Sequence, residues 1–160
     1  MRKNGLICLL LFAILIGCAS CSAKNERSAR ALMEDFLSIY GAGGILFSPD
    51  LPEGEIGYCG EDFFADLFGR TAAGVRDYAV FLLARPDGAG ECAVFVCASA
   101  YDARGVLELC ENRLELIRSL AIGTDVSAAR DAFFLRSGNT VVFCALYDNA
   151  AARRAWERVL

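Results

Sequence analysis

The chain has 160 residues, 56% of them hydrophobic, with 20 acidic residues against 16 basic ones and no histidine. That apolar fraction over that length suits a well-filled core and excludes a disordered chain. A net charge of −4 argues against nucleic-acid binding, which requires clustered positive charge.

The first 21 residues carry the strongest signal. Arg2 and Lys3 precede the 11-residue uncharged apolar run Leu6–Ile16, and Gly17-Cys18-Ala19-Ser20-Cys21 follows. A basic start, an apolar core of about 7–15 residues and small residues at its end define an export signal. A spanning helix needs about 20 predominantly apolar residues, more than this run supplies. Leu15-Ile16-Gly17-Cys18 resembles the lipobox of bacterial lipoproteins, in which the peptide is cut before the cysteine and its thiol takes a diacylglycerol, with further acylation such as palmitate. This reading makes 1–17 a signal peptide, Cys18 the lipidated residue, 18–26 a tether and 27–160 a single domain. A retained helix and plain secretion are the alternatives; Ala19-Ser20-Cys21 is a poor cleavage site for the latter. Cys21 is the weaker lipidation candidate, because Cys18 stands where a lipobox has leucine. Two acyl chains anchor stably where one does not. Loss of Arg2 and Lys3 leaves 14 basic residues against 20 acidic, a net charge of −6.

Ser28–Tyr40 carries Ala29, Leu32, Met33, Phe36, Leu37 and Tyr40 at helical spacing, and the glycines from Gly41 end the helix. Phe47–Gly60, rich in Pro, Gly and acids, reads as a loop, and Glu61–Gly69 as a short helix with acids in its first turn. Asp77–Arg85 and Glu91–Ser99 read as strands of a hairpin turning at 86–90. Asp102 reads as a cap for a helix carrying Leu107, Cys110, Leu114, Ile117 and Ala121, stopped at Gly123. A short segment spans Ser127–Asp131. Ala132–Arg136 and Thr140–Tyr147 form a second hairpin about Ser137-Gly138-Asn139, and Asp148 caps a last helix carrying Ala151, Ala155, Trp156, Val159 and Leu160.

The second half echoes the first: Cys97–Asp102 parallels Cys144–Asp148, each after a hairpin, which suggests a duplicated ββα unit. Both faces of the first hairpin are apolar, Tyr78, Val80 and Leu82 on one side and Ala79, Phe81 and Leu83 on the other, so the sheet is covered on both faces. The expected fold is α+β: a four-stranded, mainly antiparallel sheet from two hairpin–helix units. Their two helices should cover one face and the N-terminal helices part of the other.

Candidate chemistry is sparse. Without histidine there are no Ser-His or Cys-His nucleophilic pairs, no commonest general base and no mixed Cys/His zinc site. No phosphate-cradling glycine loop with its lysine appears, no nucleophile elbow and no calcium-loop spacing, so no cofactor or metal is expected. Five cysteines fall in the domain: Cys59, Cys92, Cys97, Cys110 and Cys144. Their odd number, the lack of any C-x-x-C and their apolar settings make them buried thiols rather than a disulfide framework. Cys92 and Cys97 are an odd number of positions apart in one strand and point to opposite faces. What remains for catalysis is the acidic 50–66 loop, with Glu53, Glu55, Glu61, Asp62 and Asp66, and the Cys59 thiol.

The lipobox, the helices, the Glu61-Asp62-Phe63 to Leu67-Phe68-Gly69 segment and two hairpin–helix units together resemble a family of small uncharacterised bacterial lipoproteins of Gram-positive anaerobes, a domain of unknown function. The resemblance covers nearly the whole chain and implies no catalytic residue. The expectation is therefore a non-enzymatic binding or accessory module, lipid-anchored on the extracytoplasmic face of the cell membrane. Its partners would be the bilayer and an envelope protein or polymer, not nucleic acid. The alternative is an envelope enzyme using the 50–66 carboxylates or Cys59.

Overall fold

The computed structural model describes residues 27–69, 73–85, 88–120 and 125–160. Ten elements follow one another: α1 (Ala29–Tyr40), β1 (Gly44–Phe47), α2 (Glu61–Phe68), β2 (Val75–Arg85), β3 (Gly88–Cys97), α3 (Ala100–Leu120), α4 (Asp125–Arg130), β4 (Phe133–Ser137), β5 (Thr140–Ala145) and α5 (Asn149–Val159). The strands form one antiparallel sheet in the order β1-β2-β3-β5-β4.

The α+β class and the antiparallel sheet agree with the sequence; the strand count does not. The fifth strand, β1, is the four residues Gly44-Ile-Leu-Phe47, too short for alternation to reveal and prefaced by glycines that read as a helix stop. Gly44 lies opposite Leu83, and a Cβ there would come within 2.4 Å of the Leu82 carbonyl oxygen and 2.5 Å of the Phe81 ring. The glycine is what lets β1 approach the sheet. The loop after it folds back, with the Ser48 N–H donating to the Gly57 carbonyl at 3.0 Å. Gly57 takes φ +95°, a backbone region that side chains with a Cβ disfavour.

Strand alternation sends successive residues to opposite faces, and both faces are packed. One cluster joins Ala79 and Phe81, Cys92, Val94 and Val96, and Val142 and Cys144 to Leu32, Met33 and Phe36 of α1 and Ala152, Ala155, Trp156 and Val159 of α5. The other joins Tyr78, Val80, Ala93, Phe95, Cys97, Val141 and Phe143 to Phe64 and Phe68 of α2 and Val106, Leu109, Cys110 and Leu114 of α3. Thus α1 pairs with α5 on one side, and α2 with α3 on the other.

This overturns the expected layering, in which the helices after the two hairpins shared a face. It also overturns equivalence of the two ββα units. The apparent repeat aligns Cys97 with Cys144, an offset of 47 positions. The register decides the faces: Cys144 lies opposite Cys92 and shares its face under α5, whereas Cys97, five positions further along β3, packs on the other face under α3. The following helices go with them, α3 to one face and α5 to the other.

The helix ends are mostly where their capping chemistry placed them. Ser28 Oγ accepts from the Ala31 N–H at 3.1 Å, and Gly41 closes α1 at φ +74°. Asp148 accepts from Ala151 N–H at 2.8 Å at the start of α5. The exception is α3, which begins at Ala100 rather than after Asp102. Ser99 Oγ accepts from the Asp102 N–H at 3.2 Å and donates to its carboxylate at 2.6 Å. Serine is the cap and Asp102 its reciprocal partner.

Candidate functional site

The described acids of the 50–66 segment lie at the surface. Asp50, Glu53, Glu55, Asp62 and Asp66 are all exposed. The Glu61 side chain lies outside the described positions. Among the described residues no three of His, Cys, Asp or Glu gather closely enough to hold a metal ion. Cys59, by contrast, is buried, at 3% exposure. Burial pushes its thiol above the ordinary range, while a hydrogen bond with Tyr78 opposes this. The single Tyr78 hydroxyl proton is directed to the Gly60 carbonyl at 3.1 Å, so its oxygen is what remains for the Cys59 thiol. A covered thiol that holds its proton packs as a core residue.

The other four thiols are likewise buried and unpaired. Burial holds Cys97 up at about 11 and raises Cys110 and Cys144 further. Cys92 and Cys144 lie directly opposite each other on β3 and β5, and the Trp156 Nε1–H donates to Cys92 Sγ at 3.3 Å. Trp156, fully buried, stacks on Phe36 with ring centroids 4.6 Å apart. Cys18, the expected lipidation residue, lies outside the described residues.

What the structure assembles instead are two depressions on the α1/α5 side. The first is an open cleft of about 600 Å³ at the N-terminal end of α5, lined by Asp131, Phe133, Tyr147, Asp148, Asn149, Ala150 and Arg153. Pairing of Phe133 with Cys144 brings β4 beside the end of β5. Asn149 then fixes the corner: its Oδ1 accepts from the Leu146 N–H and its Nδ2 donates to the Ala128 carbonyl, both at 2.9 Å. The Arg153 guanidinium lies 4.4 Å over the Phe133 ring. Tyr147 is 62% exposed at the rim. The cleft therefore offers two carboxylates, a stacked guanidinium and an aromatic ring. That set suits hydrogen bonding and stacking rather than covalent chemistry.

The second is a groove of about 180 Å³ between α1 and α5, lined by Ile39, Tyr40, Ala151, Arg154, Ala155 and Arg158. Sequence reasoning singled out neither depression. In the sequence, Tyr147-Asp148 read as the end of a strand and a cap, and the following helix is marked only by its apolar positions. Only the β4–β5 pairing joins Asp131 and Phe133 to them.

The molecule is thus an α+β domain with an antiparallel sheet enclosed by two helical layers. No family model matches the chain, and neither a curated protein nor a solved structure is similar to it at a significant level.

Proposed function

We propose that this protein is a lipid-anchored extracytoplasmic module of the cell envelope, tethered through Cys18, that binds rather than transforms its ligand. The observation that carries the reading is Leu15-Ile16-Gly17-Cys18 behind a short apolar run and two basic residues. Two structural features support it. Among the described residues no helix is long and apolar enough to cross a membrane. The α5 cleft also carries binding groups without a nucleophile–base pair. An exposed aromatic rim beside carboxylates and a guanidinium suits a hydroxyl-rich ligand, such as a sugar unit of an envelope polymer.

The chain between Cys18 and Arg27 spans at most about 25–30 Å. A domain so confined gains effective concentration toward partners at the bilayer without any extra contact. A version lacking residues 1–26, exported by a non-lipid signal, should fold yet fail to replace the native protein at equal abundance. On the anchored protein, Glu61→Gln, Asp62→Asn and Cys59→Ser should each leave function intact, whereas Tyr147→Ala should reduce it. Full function of the untethered domain, or loss of function in a folded protein from any of the three near-isosteric changes, favours the envelope-enzyme reading instead.

A further inference from the structure

The two helical layers carry very different charge. Over their helical spans α2 and α3 sum to −4, whereas α1 and α5 sum to +1, in a chain whose total is −4. The positive charge is concentrated on α5, where Arg153, Arg154 and Arg158 face a single acid, Glu157. Arg153 is occupied by the Phe133 ring. Arg154 and Arg158, both exposed, flank the α1/α5 groove and make no ion pair among the described residues. The acids on the neighbouring helix are neutralised. Asp35 pairs with Arg27 and Glu34 with Arg30, each at 2.7 Å.

The first described residue is held on this same layer. Arg27 donates through its guanidinium to the Val159 carbonyl in the last turn of α5. It is therefore fixed beside the helix that holds Arg154 and Arg158. Ile39 and Leu160 add exposed apolar surface to this side, at 43% and 40% exposure.

We infer that the α5 ridge, with Arg154 and Arg158 at its groove, docks on the anionic phospholipid headgroups of the membrane that carries the anchor. This rests on the reading of the chain as membrane-tethered, and it adds an orientation: α1 and α5 face the bilayer, and the acidic α2/α3 layer faces away. Guanidinium groups suit the contact because their planar donors match phosphate oxygens in pairs. Each arginine near an anionic surface contributes about fivefold to association. Two are too few to hold a free domain, yet enough to orient one already confined by a lipid. The arrangement accounts for how an acidic protein can lie against an anionic surface: the net negative charge of its helices is turned outward, beyond about 8–10 Å of screening, and Asp131 and Asp148 stay at the α5 N-terminal end.

The test uses the chain from Cys18 to Leu160, which contains every described residue, with Cys21→Ser so that Cys18 carries the only thiol outside the core. Coupling Cys18 to a maleimide lipid fixes the tether chemically, so the result does not depend on whether cells acylate that residue. Arginine modification by hydroxyphenylglyoxal is then followed peptide by peptide on phosphatidylcholine vesicles, with and without phosphatidylglycerol. Arg154 and Arg158 should react at least fivefold more slowly on the anionic vesicles, Arg104 and Arg118 of α3 should be unaffected, and added salt should erase the difference. Equal rates on both vesicles, or protection of the α3 arginines instead, overturns the proposal. So does equal protection by inorganic phosphate on phosphatidylcholine alone, which would mark a free-anion site. Fatty-acid labelling of Cys18 in cells tests the anchor separately.

Discussion

The two sides of the sheet are built by different means. Under α1 and α5 the core is dry and aromatic: Trp156 stacks on Phe36, Phe36 on Tyr40 at 5.2 Å, and the Trp156 indole N–H finds its partner in a thiol. Under α2 and α3 the rings of Phe64, Phe68, Tyr78 and Phe95 meet mostly edge to face. That side also holds charge, because Glu91, 8% exposed at its side chain, receives two hydrogen-bonding nitrogens of Arg113 on α3, the closest at 2.6 Å. A polar pair specifies which residue of α3 sits over β3, whereas the aromatic stack fills volume. The charge on the outer surfaces follows the opposite order, with the basic ridge over the dry core and the acids over the ion pair.

The largest effect should come from the dry side. Trp156→Ala removes the centre of a close-packed stack and leaves Cys92 without its donor; it should cost about 3–5 kcal/mol in chemical denaturation. Trp156→Phe should recover most of that loss. A loss below about 1 kcal/mol for the alanine variant would mean that α5 is only loosely seated on the sheet.

On the other side, Glu91→Ala should cost about 3 kcal/mol, because it strands the Arg113 guanidinium in a largely buried setting. Replacing both residues by Leu should return stability to within about 1 kcal/mol of the parent. If the double change is as costly as the single one, the pair stabilises outright rather than fixing register.

Much of this was legible beforehand, and the limits have physical causes. The periodicity of α1 and its Ser28 and Gly41 ends, the two hairpins, the two-sided burial of β2 and β3, and the opposite facing of Cys92 and Cys97 follow from spacing alone. The Gly44–Phe47 strand did not, because four residues give no usable alternation and its edge position depends on β2. The side taken by each later helix was hidden because nothing local to Ser99 or Asp148 specifies a face. Only the parity of the strand residues against the final register does. The Glu91–Arg113 pair spans 22 positions, and the α5 cleft requires β4 to dock first; both are tertiary products. The acids of the 50–66 loop attracted notice by clustering in sequence, yet the residues that turn inward from this stretch are Gly57, Cys59 and Phe64, and the described acids face solvent.

Two smaller effects separate the layers by titration and capping. Asp77 accepts from the Ala29 N–H at 2.6 Å at the start of α1. Burial, the larger influence, raises its carboxyl above 3.8 despite that bond. The folded state therefore holds the proton more tightly, so Asp77 favours folding below 3.8 and that contribution is lost as pH rises through the folded value. Asp77→Asn keeps an acceptor and should flatten this part of the stability profile; an unchanged profile would show that Asp77 does not titrate across the window. Ser28→Ala and Asp148→Ala should each cost about 1 kcal/mol through lost caps, measured by thermal unfolding.

The attachment through Cys18, on which the functional reading turns, is tested most directly by metabolic labelling with a radioactive or clickable palmitate. The wild-type chain should take up label and partition with membranes, whereas Cys18→Ala should take up none and lose its membrane association. Undiminished labelling of Cys18→Ala, or membrane retention of that variant without any label, would contradict the account and place the anchor at Cys21 or in an uncleaved N-terminal segment.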